Sequence, residues 1–379
     1  MTESSTAPRR RIIIAGGGVA GGVAALALHQ RGHDVVVVEA HQMRGIGHGI
    51  TLQGNALKAF DSVGVFEAIA ANGLPFGGLR MRTPDGHVIM DIPTPPMGGP
   101  DLPPTMGALR SDVADVLADA VTDAGIDVRL GVKVVGVTDT GDGVEVTLSD
   151  GTSLTGDLLV GADGIRSQVR SMIGIETGPE PVGMGIWRVV ADRPAEMDCS
   201  ELYYNGPKYK AGYTPISATK CYAFLIEGNL DRSYVGEHPN GAVMKEHGQG
   251  YGGMWGEVIA GIADDEVVNY QWIEAVKLDG DWYRGNVVLI GDAAHACPPL
   301  IAQGAAMCAE DGVVLADELD KHDDLADALA AFQARRGPRV GMVLTNSLTL
   351  AEWEMHPDFP GADPGRIMGM TLHALCEPA

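Results

Sequence analysis

The segment from Arg11 to Ala40 constrains the fold of this chain more than any other. Ile12-Ile13-Ile14-Ala15 reads as a buried strand, Gly16-Gly17-Gly18-Val19-Ala20-Gly21 as a G-x-G-x-x-G turn, and Val23 to Arg31 has helical spacing. Gly32 ends that helix, and Val35 to Val38 forms a second strand closing on Glu39. Strand, glycine turn, helix, strand and acid in this order make a βαβ unit suited to a dinucleotide. Gly16 permits the tight turn, Gly18 lets backbone approach a pyrophosphate, and Gly21 lets helix and strand pack closely. The helix N-terminus offers free N–H groups to the phosphates. Glu39 is placed to accept hydrogen bonds from ribose hydroxyls, and its charge disfavours a 2′-phosphate there. A glycine-rich turn without a ligand is the plainer reading; the second strand and the acid argue against it.

Composition limits what else the chain can be. With 379 residues, 45% of them hydrophobic, it can bury a large core and should make about two domains. The 27 basic and 50 acidic side chains leave a formal charge of -23, which argues against nucleic acid or an anionic membrane as partner. Cys199, Cys221, Cys297, Cys308 and Cys376 form no C-x-x-C pair and no even framework, so neither structural disulfides nor a metal site is expected, and a cytoplasmic location fits. Residues 1–10 are polar, lack the apolar core of a secretory signal, and read as a flexible tail. The longest uncharged stretches, Ile12 to Gln30 and Ala293 to Ala309, are interrupted by glycine, proline, His or Gln and make poor membrane spans.

Further along, glycines alternate through Gly45-Ile46-Gly47-His48-Gly49, a pattern that lets backbone pass against a flat ligand. Arg44 just before it either pairs with a phosphate or sits in solvent, and Arg110, ahead of a helix capped by Ser111 or Asp112, is either a cofactor contact or an ordinary surface arginine. From Leu74 to Pro104 the texture turns to Pro, Gly and Thr, and the chain leaves its first domain. Leu158-Leu159-Val160-Gly161-Ala162-Asp163 is a second strand ending in glycine and aspartate; alone, Asp163 reads as a turn residue. Between Met172 and Val268, short aromatic-bearing strands separated by Pro, Gly and Asn predict an inserted antiparallel sheet. Tyr222 and Phe224, at period two, either line a pocket for a planar substrate or are plain core. His238 to Tyr251 reads as a mobile surface loop. Val287 to Ile290 is a third strand of this kind, stopping at Gly291-Asp292 before a turn with Pro298 and a helix from about Ala305 to Leu319. Helical patterns follow over Leu325 to Gly337, Val340 to Glu354 and Arg366 to Leu375.

Three separated signatures combine. The G-x-G-x-x-G with Glu39, Gly161-Ala162-Asp163-Gly164 with Ser167, Val169 and Arg170, and Gly291-Asp292-Ala293-Ala294-His295 with Pro298 and Gln303-Gly304 occur in that order. Over residues 10 to 340 the chain thereby resembles the single-component FAD-dependent aromatic hydroxylases related to p-hydroxybenzoate hydroxylase. It looks most like the branch holding the salicylate, hydroxynicotinate, methylhydroxypyridine-carboxylate and tetracycline monooxygenases. The resemblance implies an α/β fold: a Rossmann-type FAD-binding domain (11–73, 105–172 and 269–338), an inserted antiparallel-sheet substrate domain (74–104 and 173–268), and a C-terminal helical segment (339–379).

By the same resemblance Gly16, Gly18, Gly21 and Glu39 bind the ADP half of FAD, and Arg44 and Arg110 lie near its pyrophosphate or flavin. Asp163 belongs to a motif shared between FAD and the nicotinamide. Asp292 holds the ribitol, Pro298 lies near the flavin ring, and Gly304 presents backbone N–H groups to its pyrimidine end. NADH or NADPH would reduce FAD, dioxygen would add at C4a, and the resulting hydroperoxide would hydroxylate a small aromatic or heteroaromatic substrate. No catalytic acid or base follows, and His295, within the FAD motif, is read as structural. Arg188, Tyr203, Tyr213 and Tyr222 are the candidate pocket residues. Three departures from the pattern, Ala302 for a glycine, Ala305-Ala306, and His48 for a small residue, imply altered flavin packing. Two other readings stand beside hydroxylation: a different FAD enzyme on the same scaffold, such as an epoxidase, a Baeyer-Villiger oxygenase or a reductase, and a non-catalytic flavin- or ligand-binding protein.

Overall fold

The computed structural model describes residues 8–41, 47–230 and 239–379. Arg44 lies outside the described residues. A six-stranded sheet is ordered β18-β19-β12-β1-β2-β8, from β1 (Arg11–Ala15), β2 (Asp34–Glu39), β8 (Asp127–Leu130), β12 (Leu158–Gly161), β18 (Tyr283–Arg284) and β19 (Val287–Leu289). All its pairings are parallel except β18 with β19. The central strands β1, β12 and β19 are apolar and buried along most of their length, as expected where both faces of a parallel sheet are covered.

One cover is the Val19–Gln30 helix, buried continuously from Ala20 to Leu28. A helix apolar all round belongs between other elements. It lies between the Gly304–Lys321 helix and the Arg110–Asp123 helix. Its backbone comes so close to the former that a Cβ on Gly312 would sit 2.6 Å from the amide nitrogen of Ala24.

The seven-stranded sheet has the order β17-β13-β16-β15-β14-β5-β6, built from β5 (Gly78–Arg82), β6 (Val88–Pro93), β13 (Glu180–Asp192), β14 (Ser200–Tyr203), β15 (Lys210–Pro215), β16 (Lys220–Gly228) and β17 (Asn269–Ala275). The inserted antiparallel sheet is therefore present, with one parallel pairing, β14 to β5. Strand β17 belongs to it through its ladder to β13, although residues from 269 on were assigned by sequence to the first domain. Between the two large sheets lies a three-stranded one of β3 (Gly49–Gln53), β4 (Leu74–Phe76) and β7 (Thr105–Leu109). A small meander of β9 (Val134–Asp139), β10 (Val144–Leu148) and β11 (Ser153–Gly156) completes the strands.

Several expectations are corrected. Arg10 is no part of a loose tail: it is 5% exposed and its guanidinium donates to the carbonyls of Leu319, His322 and Asp323. The polar stretch before Tyr251 contains a helix, Gly241–His247, because Asn240 caps it by accepting from the amide of Val243. The Arg110 helix begins one residue before Ser111 and has no side-chain cap. The two helical patterns around Gly337-Pro338 are one helix, Leu325–Met355, with Pro338 inside it. Proline removes one backbone bond there, and burial of Phe332, Val340, Val343 and Leu344 carries the helix through.

Candidate active site

Because β2, β1, β12 and β19 are parallel neighbours, the turns that follow them meet at one edge of the sheet. Gly16 (φ +107°) and Gly21 are glycines for packing reasons: a Cβ would fall 2.3 Å from the Ala162 carbonyl oxygen and 1.9 Å from that of Gly16, respectively. Gly18 differs, since a Cβ there would meet nothing within 4 Å. The first helix has no side-chain cap, and its first backbone bond runs from the Gly22 amide to the Gly18 carbonyl. The amides just before Gly22 thus point, without helical partners, at open space beside Gly18. Glu39 ends β2 and accepts from the amides of Gly17 (2.7 Å) and His41 (2.9 Å), which fixes its carboxylate beside the turn.

Asp163 spends its carboxylate on its own turn, accepting from Ser167 Oγ and the amides of Gln168 (2.7 Å) and Val169 (3.1 Å). Buried Arg170 then ties this turn to the next motif by donating to the carbonyls of Ile165 and Ala293. Asp163 therefore shapes the edge.

Gly291, in the left-handed region at φ 59°, turns the chain sharply into Asp292. Its amide donates to Asp311 (2.8 Å), which also takes His295 Nε2 (2.6 Å) and Arg336 Nε (2.7 Å). Burial alone would raise the Asp311 carboxyl, but His295 and Arg336 hold it below its ordinary value. Arg336 also reaches Glu310, which accepts from Asn55, which in turn donates to Gln303. His295 is thus one member of a buried scaffold that fixes both the Asp292 loop and the start of the Gly304 helix. Asp292 itself is half-buried, and its only described partner is the weak donor Cys308 Sγ at 3.7 Å. Burial pushes its carboxyl up, with His295 and Arg110 opposing.

Ahead of the Gly304 helix, Ala302 adopts φ 53°, ψ 38°, a conformation that costs a residue with a Cβ about 1–2 kcal/mol. This explains physically why a glycine would be favoured there. A Cβ on Gly304 would meet nothing within 4 Å, and the helix has no side-chain cap.

A cavity of about 250 Å³ extends from this helix start to one face of the seven-stranded sheet. Strand parity decides which side chains reach it. Ser200 and Leu202, Lys210 and Thr214, Tyr222 and Phe224, and Ile186 and Arg188 line it. Their neighbours of opposite parity, among them Tyr203, Tyr213 and Trp187, are fully buried in a second core on the other face. Tyr203 and Tyr213 are thus excluded from the cavity, while Arg188 and Tyr222 are placed in it. Arg188 Nε donates to the Tyr222 hydroxyl (3.1 Å) and Nη1 to Gln271 (2.9 Å); none of its described partners is a carboxylate.

Opposite stand Arg110, His48 and Pro299; Pro298 is buried, and its neighbour takes the lining position. The Arg110 amide donates to the His48 carbonyl. The His48 imidazole is held neutral, its pKa lowered to about 4 by burial and then by the charge of Arg188. His48, Lys210 and Thr214 were missed as pocket residues because only tertiary pairing brings them to one surface; Lys210, a lone lysine in an apolar strand, was the available signal.

Open backbone at Gly18, uncapped helix starts at Val19 and Gly304, and a weakly partnered acid at Asp292 fit a ligand with phosphates, hydroxyls and a flat polar ring. Fold and site together define a dinucleotide-type flavoprotein. Comparisons agree: residues 9–347 match the family described as FAD binding domain. The chain is 32% identical to the aurachin C monooxygenase/isomerase of Stigmatella aurantiaca, with 90% of each chain covered. It is 33% identical to the 2-heptyl-3-hydroxy-4(1H)-quinolone synthase of Pseudomonas aeruginosa, again over 90% of each. The crystal structure of Klebsiella pneumoniae HpxO complexed with FAD and uric acid superposes with a TM-score of 0.81 at 25% identity, covering 97% of this chain and 92% of that one. The chain belongs to the FAD-binding-domain family, among the single-component aromatic hydroxylases. It is a flavoprotein monooxygenase with FAD as cofactor. Among the described residues no helix is long and apolar enough to cross a membrane, and no cluster of metal-ligating side chains occurs.

Proposed function

We propose that this monooxygenase inserts one oxygen atom of O2 into the ring of a small aromatic or heteroaromatic substrate, with NADH or NADPH as reductant. The observation that carries the reading is the mostly apolar cavity lying between the Gly304 helix start and the Arg188 face of the sheet. FAD, when bound, supplies the electron transfer and oxygen activation that no side chain can.

The chain's own groups bind and orient. The bare backbone at Gly18 and the amides ahead of Gly22 receive the pyrophosphate, Glu39 the adenosine ribose, and Asp292 the ribitol hydroxyls. Gly304 and Ala305, with the positive end of their helix, stabilise negative charge on the pyrimidine edge of the flavin. Arg110, exposed and without a described side-chain partner, is available to the cofactor's anionic groups. In the cavity, Arg188 favours a substrate oxygen that carries negative charge, while Ile50, Phe224 and Leu300 exclude water. The six-stranded sheet region serves as cofactor domain and the seven-stranded sheet as substrate domain.

The test is ligand-stimulated NAD(P)H oxidation by the purified holoenzyme across a panel of phenols, quinolones and hydroxypyridines, with labelled dioxygen and product analysis. One labelled oxygen on a ring carbon is the expected result. Absence of stimulated oxidation across the panel sinks the hydroxylase reading, and label in an epoxide or lactone redirects it.

A further inference from the structure

The cavity has two ends, and the second is not needed to hold a single ring. At the first, Thr214 and Tyr222 are register partners next to the cofactor side: Thr214 Oγ1 lies 3.3 Å from Thr51 Oγ1, and Gly49 packs against the Tyr222 side chain. Four residues back along β15 is Lys210, paired in register with Ile226. Four residues of strand span about 13 Å. Apolar Phe224, between the rows, and Met368 and Leu372, from the Pro364–Ala374 helix, line the intervening and far parts of the cavity.

At this far end the Lys210 ammonium meets Glu354 Oε1 at 2.6 Å, with both side chains almost wholly buried (3% and 2% exposed). An ammonium has three donors, and the remaining described contact of Lys210 is the Tyr204 ring, 5.5 Å away. Glu354 Oε2 is buried without a hydrogen-bond partner. Such an atom costs free energy, as does a carboxylate in the last turn of a helix, where the dipole repels it. Neither feature serves the stability of the Leu325–Met355 helix. Burial pushes the Glu354 carboxyl up, with Lys210 opposing.

We propose that Lys210, held by Glu354, is a distal recognition point that takes a neutral hydrogen-bond acceptor, such as a carboxamide carbonyl, on an elongated aromatic substrate. The proposal rests on the reading of the cavity as the hydroxylation site. Charge fixes the neutral preference: Glu354 already balances Lys210, so a distal carboxylate would face it unfavourably. Negative charge is accommodated at Arg188, which lacks a carboxylate partner among the described residues. Length fixes the elongated shape, because a single ring at the Tyr222 row does not reach Lys210.

The experiment titrates purified holoenzyme with 4-hydroxybiphenyl, 4′-hydroxybiphenyl-4-carboxamide and 4′-hydroxybiphenyl-4-carboxylate, reading the flavin absorbance change. The carboxamide should bind about tenfold tighter than the parent, the worth of one well-made buried hydrogen bond to a charged group. The carboxylate should bind no tighter than the parent. The double variant Lys210→Met/Glu354→Met should abolish the carboxamide's advantage and leave the parent's affinity within about threefold. The proposal is overturned if the three compounds bind alike, if the carboxylate is preferred, if no biphenyl binds, or if the advantage survives in the double variant. Should that variant lose FAD or fail to fold, the ranking on the unaltered enzyme decides by itself. Oxygen insertion is scored separately: a carboxamide preference without turnover counts against the hydroxylation reading and leaves distal recognition standing.

Discussion

Asp292 and His48 show how the same burial acts on two kinds of group. At Asp292 it raises the carboxyl, and no strong donor to it occurs among the described residues; in the proposed function the hydroxyls of the cofactor are its partners. Asp292→Ala should weaken FAD binding by about ten- to hundredfold, the range expected for hydrogen bonds to a charged group. Flavin content after gel filtration checks this, with the exposed Asp119→Ala as a control that keeps its FAD. His48 is held neutral, with its pKa lowered from 6.5 to about 4. Between these values the unfolded chain binds a proton that the folded one does not, so stability is greatest above pH 6.5 and falls as the pH drops towards 4. Urea midpoints at pH 7.5 and 4.5 should lie closer together in His48→Ala than in the parent protein; an unchanged gap would remove His48 from the acid sensitivity.

At the scale of elements, the Gly304–Lys321 helix joins the cofactor edge to the C-terminal helices. Its Glu310 and Asp311 are met by Arg336, fully buried on the Leu325–Met355 helix, and through His295 and Asn55 the same charges fix the Asp292 loop and Gln303. Breaking a buried pair leaves an uncompensated charge and costs about 3–5 kcal/mol. Arg336→Met should lower the thermal midpoint markedly and release FAD before global unfolding, as flavin fluorescence during a melt would show. Simultaneous loss of both would mean that the network supports the whole fold and not the loop in particular. Pro338 lies two residues beyond Arg336, and the helix continues through it because its flanks are packed on both sides.

For the molecule as a whole, the seam between the three-stranded and seven-stranded sheets is narrow. Gly107 of β7 lies under Pro215 of β15, where a Cβ would fall 1.9 Å from a carbonyl oxygen, and Gly49 lies under Tyr222. Close backbone approach there brings the Arg188 face of one sheet over the Gly304 helix start associated with the other. Gly107→Ala should open the seam at a cost of about 1–3 kcal/mol. Lower thermal stability with greater proteolytic sensitivity is expected, and an unaltered melt would show that the two sheets are not in rigid register at this point.

The local signatures were legible because each is carried by neighbouring residues: Gly16 to Glu39, Gly161 to Asp163, and Gly291 to Gly304 are short strand-and-turn segments whose conformation depends on their own glycines and apolar runs. They determine the βαβ unit, the parallel sheet and the family. The antiparallel insertion was also legible, from short aromatic strands between turn residues. Which of its tyrosines faces the cavity was not: parity along a strand is visible in the sequence, but which face borders the cavity is set by pairing with strands far away in the chain, as Ser200 with Leu79. That long-range pairing put Tyr222 and Lys210 in the cavity and Tyr203 and Tyr213 in a second core. It likewise joined Lys210 to Glu354, 144 residues on, a contact no spacing rule encodes. Chain-local geometry determined the cofactor edge, and tertiary pairing alone decided the substrate cavity.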